Sequence, residues 1–154
     1  MLIIVHETLN FSKVAMLEFS LGLAKKAGDY LKVNFGKGLL VEYKSRINPV
    51  TPVDKGSQDI ICNAIEKVFP DHSIISEESK RKETGKEYKW FIDPLDGTVN
   101  YIHNIPIFCV SISLYRQMEP YIGVCYNPMN DELFYAERGK GAYMNGEKIS
   151  VSSV

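Results

Sequence analysis

The sequence predicts an α+β protein, with two N-terminal helices packed on a largely antiparallel sheet. Three observations carry this. Residues 11–35 and 54–69 place apolar side chains at helical spacing. From residue 108 onward, short runs of partly alternating polarity are separated by turn residues. Between these halves lies an apolar run, Trp90-Phe91-Ile92, which breaks off at Asp93-Pro94. The 154 residues are enough for one domain spanning 1–154 with a sizeable core. With 45% hydrophobic and 24% charged residues the composition is that of a soluble globular chain. A net charge of −1 offers no electrostatic basis for binding nucleic acid or a membrane surface. The apolar start, Met1-Leu2-Ile3-Ile4-Val5, is too short for a signal peptide or a membrane span. No internal repeat, linker or low-complexity segment interrupts the chain.

Taken in order, the first helix carries a stripe of Val14, Leu17, Leu21, Ala24, Gly28, Leu31 and Phe35, with Asn10 or Ser12 as cap and Gly36 as terminator. It reads as scaffold without chemistry. Residues 36–53 read as loop with a short strand near 39–43. The basic cluster Lys44-Ser45-Arg46 reads first as solvated charge, and second as an attraction for phosphate. Asp54 stands as the simplest N-cap of a helix whose apolar positions are Ile61, Ala64, Ile65 and Val68, ended by Pro70. Ser73–Ser76 is a short strand, followed by Glu77-Glu78. Successive side chains of an extended segment point to opposite faces, so these two acids do not serve the same ion. Residues 79–89, rich in charge, read as an exposed mobile loop.

Beyond residue 107 the expected strands are 108–114, 120–126, 132–136, 142–144 and 148–151. Their turns are Gln117-Met118-Glu119, Asn127-Pro128-Met129-Asn130 and the hairpin signal Asn145-Gly146. His6, His72 and His103 lack the spacing of metal ligands and read as surface or core residues. Cys62, Cys109 and Cys125 sit in apolar contexts. Their odd number, without Cys-x-x-Cys, predicts buried free thiols in a reducing cytoplasm.

The chemistry concentrates at 93–101. Proline lacks an N–H and fixes its own φ, so the strand is expected to stop at Pro94. Asp93 and Asp96, three apart in the turn that follows, bring two carboxylates to one point. Gly97 permits a backbone that a β-carbon would resist, which frees the amides of Gly97 and Thr98 for an anion. Thr98 adds a hydroxyl. Together these suit Mg²⁺, a phosphate oxygen and a polarised water.

Asp93-Pro94-Leu95-Asp96-Gly97-Thr98-Val99-Asn100-Tyr101 resembles the Asp-Pro-(Ile/Leu)-Asp-Gly-Thr-x-Asn-(Phe/Tyr) signature of the inositol monophosphatase family. The Val99-Asn100-Tyr101 ending looks like this branch; the branch that hydrolyses 3′-phosphoadenosine nucleotides has Lys-Glu-Phe there. Val50-Thr51-Pro52-Val53-Asp54 resembles the family's Val-Thr-x-x-Asp element, and Ser76-Glu77-Glu78 its second metal element.

The resemblance implies the N-terminal half of an αβαβα sandwich. It implies a Mg²⁺-dependent, lithium-sensitive phosphomonoesterase with two or three ions. Glu77, Asp93 and the Leu95 carbonyl would hold a first ion. Asp93 would bridge to a second that also takes Asp96. Thr98 and Asp54 would orient and deprotonate the attacking water, with Glu77 also in the catalytic set. Gly97, Thr98 and Asp96 would meet the phosphate. The implied substrate is a small phosphorylated polyol or sugar, and the implied assembly a homodimer. Family members continue for roughly another hundred residues, about one more domain. That part supplies an Asp to the second metal site and most substrate-ring contacts. For the 154-residue chain alone the expectation is therefore weak or no turnover. The alternatives are a metal- or phosphate-binding fragment, or an interaction module that keeps the motif by descent.

Overall fold

The computed structural model describes residues 12–38, 42–45, 48–77, 80–82 and 87–152. Helix α1 spans Lys13–Asn34 and α2 Pro52–Val68. A hairpin of β1 (Glu42–Ser45) and β2 (Asn48–Val50) lies between them. The main sheet comprises β3 (Ser73–Ser76), β4 (Lys80–Lys82), β5 (Tyr88–Asp96), β6 (Cys109–Arg116), β7 (Glu119–Asn127), β8 (Glu132–Glu137), β9 (Gly141–Met144) and β10 (Glu147–Ile149). Its order is β10-β9-β8-β7-β6-β5-β3-β4. Every pairing is antiparallel except β3 with β5, so the predicted fold class holds.

Helix α1 begins where Ser12 Oγ accepts the Ala15 N–H at 3.2 Å. Its buried face includes Ala24, Gly28 and Leu31 of the predicted stripe, with Leu17, Leu21 and Phe35 half-buried against the core. It departs from the stripe at Val14, which is 55% exposed, and adds Met16, Ser20, Leu23 and Ala27. Ser20, Ala24, Ala27 and Gly28 are small and let the helix sit low on the sheet. A β-carbon on Gly28 would lie 2.5 Å from the Tyr126 ring. At its first turn α1 is tied to β8: the buried Glu137 accepts Lys13 at 3.3 Å and Lys140 at 3.0 Å.

Three further expectations are corrected. Strand β5 does not stop at Pro94 but runs to Asp96, because a bulge absorbs the proline. Asp93 faces Ser111 and Asp96 faces Cys109, so the bulged strand has one extra residue and no ladder bond is asked of Pro94. Lys80–Lys82 forms a strand on β3 rather than a loop. A short helix α3, Thr98–Ile102, follows Gly97 where no helix was expected; five residues are too few to show a period. The expectations at His6, Asn10, Glu78, residues 1–5 and the side chains of Lys44 and Arg46 lie outside the described residues.

Helices α1 and α2 cover one face of the sheet and bury Trp90, Ile92, Val110, Ile112, Leu114, Val124 and Tyr126. His72 belongs to this core. It stacks between Phe69 (centroids 4.7 Å) and Tyr88 (4.6 Å), and its Nδ1 accepts the Trp90 indole N–H at 3.0 Å. Burial pulls its imidazole down to about 4, which keeps that acceptor neutral. The opposite face presents Phe91, Ser111, Ser113, Tyr115 and Cys125, all half-buried, and no described helix packs on it. No described helix is long and apolar enough to cross a membrane.

The Gly28–Tyr126 contact gives a direct test. Gly28→Ala should cost about 1–3 kcal/mol of stability in urea unfolding. Gly22→Ala, where a β-carbon meets nothing within 4 Å, should stabilise slightly or leave stability unchanged.

Candidate active site

The start of α2 fixes the first element of the site. Thr51 is the N-cap and Pro52 fills the position where an N–H has no helical partner. Asp54 is therefore not the cap, as the sequence suggested, but the third helical residue of a capping box. Its Oδ2 accepts the Thr51 amide at 2.8 Å and the Thr51 hydroxyl at 2.6 Å. Its Oδ1 is left to accept the Thr98 hydroxyl at 3.0 Å. Asp54 is only 1% exposed, so it reaches the surface through Thr98 and not directly. The Thr98 hydroxyl lies equally close, 3.0 Å, to the Leu95 carbonyl. Both alternatives for its single proton stay within one small cluster.

The parallel pairing of β3 with β5 supplies the second element. Ser76 faces Ile92, and the Glu77 N–H continues the ladder onto the Ile92 carbonyl at 3.0 Å. This sets Glu77 beside Asp93, and their carboxyl groups share a hydrogen bond. Asp93 is pushed up to about 7, first by burial, then by the charge and hydrogen bond of Glu77 and by the charge of Asp96. The Leu95 amide, 3.2 Å from Asp93 Oδ1, opposes the shift only in part.

Gly97 turns the chain at φ 96°. A β-carbon there would meet the Ile107 carbonyl at 3.0 Å, so both conformation and space demand glycine. Asn100 Nδ2 donates to the same carbonyl at 2.8 Å and holds the facing loop. Glu77, Asp93, Leu95, Asp96, Gly97 and Thr98 line one open cleft of about 370 Å³. The structure thus brings together six of the seven sequence-predicted residues, with Asp54 behind Thr98.

Two contributors escaped the sequence reading. Ser57, fully buried in α2, donates to the Pro94 carbonyl at 2.8 Å and ties the helix to the bulge. A polar residue one turn after Asp54 on the same face was the available signal. Cys109 donates to Asp96 Oδ2 at 3.7 Å. Cys109 and Cys125 are only half-buried, so the expectation of three buried thiols holds for Cys62 alone. The two lie near one another on the same face of β6 and β7. A strand buried on one face only leaves them on the other.

All donors at the cleft are oxygens, which suits a hard cation such as Mg²⁺. The crowding that forces a proton onto the Glu77–Asp93 pair is relieved equally well by a divalent ion. Among the described residues no three acidic, His or Cys side chains close on one point tightly enough to hold a metal by themselves. A cation here takes the pair and completes its shell from the Leu95 carbonyl, Asp96, water or further protein.

A mixed sheet carrying a bulged Asp-Pro-Leu-Asp strand, a facing glutamate and a left-handed glycine defines an acidic, oxygen-lined site suited to a hard cation. The chain belongs to the inositol monophosphatase family, whose model matches residues 13–154. It is 43% identical to inositol monophosphatase 3 of Solanum lycopersicum over 148 residues, covering 94% of this chain and 55% of that protein. It is 45% identical to the fructose-1,6-bisphosphatase/inositol-1-monophosphatase of Aquifex aeolicus over 137 residues, covering 88% and 52%. Among solved structures, the extragenic suppressor protein suhB of Bartonella henselae superposes with a TM-score of 0.86 at 39% identity, covering 91% of this chain and 55% of that one. The chain spans about half the length of the curated relatives it matches.

The raised Asp93 has a measurable consequence. With a folded value of about 7 against an ordinary 3.8, the folded metal-free chain holds a proton that the unfolded chain releases. This contribution to stability falls as pH rises from about 4 to about 7. His72, about 4 when folded against 6.5, acts oppositely: its contribution falls as pH drops through the same window. Asp93→Asn should therefore raise Tm relative to the parent more at about pH 7 than at about pH 4. Because a cation competes with that proton, Mg²⁺ should raise the parent's Tm more at about pH 8 than at about pH 5. Thermal melts across pH check both.

Proposed function

We propose that this chain is the N-terminal, metal-carrying half of a Mg²⁺-dependent phosphomonoesterase acting on inositol monophosphates or related polyol and sugar phosphates. The observation that carries this is the Glu77–Asp93 pair with Asp96 beside it and the Gly97–Thr98 turn on the same cleft. The names of the relatives support the substrate class. Two or three Mg²⁺ ions would neutralise the carboxylates, acidify the attacking water and stabilise the leaving oxygen.

This chain's residues do the rest. Glu77, Asp93, Asp96 and the Leu95 carbonyl hold the ions. Thr98 orients the nucleophilic water, and Asp54, already accepting the Thr98 hydroxyl, takes the proton passed along that bond. The Gly97 and Thr98 amides and hydroxyl meet the phosphate oxygens. The buried first turn of α2 keeps Asp54 from turning to solvent. Lithium sensitivity, assembly as a homodimer and a cytoplasmic setting, where the three free cysteines keep their thiols, complete the reading.

Calorimetric titration with Mg²⁺ tests the site. The chain should bind Mg²⁺, and Glu77→Gln or Asp93→Asn should weaken binding at least about tenfold, the scale on which metal-site substitutions act. No binding by the parent would overturn the proposal. Phosphate release from inositol 1-phosphate should stay near background for the 154-residue chain. Fast turnover would show that no further ligand is required.

A further inference from the structure

We propose that Cys109 is a positioning residue for Asp96, holding one carboxylate oxygen so that the other faces the cleft. The inference rests on Asp96 being a metal ligand. Two independent features of the fold support it. After the bulge, the β5–β6 ladder re-forms with Asp96 directly opposite Cys109, so their side chains leave the sheet on the same side. The thiol then donates to Oδ2 at 3.7 Å, an ordinary length for sulfur, and leaves Oδ1 unclaimed by it.

Asp96 is otherwise poorly held. It lies on the exposed end of β5, next to a glycine at positive φ and one residue past a bulge. Among the described residues, the hydrogen bond that reaches its carboxylate is the one from Cys109. Ordering Asp96 only when a cation arrives would subtract from the affinity. Cys109 is the first residue of β6 and its backbone is fixed by the ladder, so its sulfur is a stationary partner. Partners that orient a ligating carboxylate are worth 10–100-fold in metal affinity when removed.

The test compares Cys109→Ala, Cys109→Ser and Asp96→Ala in the 154-residue chain, by Mg²⁺ calorimetry and by the infrared S–H stretching band. Cys109→Ala should weaken Mg²⁺ binding about tenfold. Cys109→Ser, which restores a donor, should return most of it, whereas a merely structural cysteine would be served as well by alanine. Without metal, the S–H band that disappears in Cys109→Ser should shift in Asp96→Ala. Weakening in Asp96→Ala but not in Cys109→Ala overturns the positioning role and leaves the metal reading standing. Weakening in neither counts against Asp96 as a ligand and removes this inference with it. An S–H band unmoved by Asp96→Ala overturns the hydrogen bond itself.

Discussion

Everything at the cleft depends on one parallel strand pair. In a sheet that is otherwise antiparallel, β3 runs alongside β5 and ends opposite Ile92, four residues before β5 does. The residue after β3 and the residue after Ile92 therefore lie side by side. A one-residue slip would send Glu77 to the far face of the sheet. The register is set by burial rather than by the acids, since Ile74 beside Trp90 and Ser76 beside Ile92 pack under α2. The hydrophobic core therefore brings two carboxylates together, and Asp93 is raised first by its burial and then by the neighbouring charge of Glu77.

The bulge and the helix cap solve a second problem, the placing of Thr98. The extra residue at Pro94 shifts β5 so that the ladder closes on Asp96 and Gly97 turns the chain away from the sheet. The Ser57 hydroxyl anchors the Pro94 carbonyl to α2, and the capping box aims Asp54 Oδ1 at Thr98. Helix and strand are thus joined by two polar bonds, both within a few residues of the site. These bonds sit in a buried setting where unsatisfied groups are costly, which makes the arrangement specific.

Much of this was legible in the sequence. The Asp93–Tyr101 word pointed to the candidate site through its resemblance to the inositol monophosphatase signature, and Asp93, Leu95, Asp96, Gly97 and Thr98 do share one cleft with Glu77. The antiparallel strands after residue 108 showed themselves through turn residues, and the backbone at Asn145 (φ 49°) and Gly146 (φ 89°) confirms the hairpin read from that dipeptide. Most of the failures turned on a partner distant in sequence. Asp54 is different: its place inside the cap was decided by Thr51, three residues before it. The buried face of α1 was decided by how closely Tyr126 approaches. Pro94 stops a regular strand, but a bulge removes the requirement for its missing N–H. Cys109 carries no local mark at all, since its significance comes from the ladder that sets it opposite Asp96.

The capping box has an effect on how the chain responds to heat. Helix ends fray at lower free-energy cost than whole domains unfold. Here the first turn of α2 is buried and closed by its own capping box, so it is not a fraying end. Asp54 stays against Thr98 for as long as the sheet beneath the helix holds, and warming releases that contact only together with the fold.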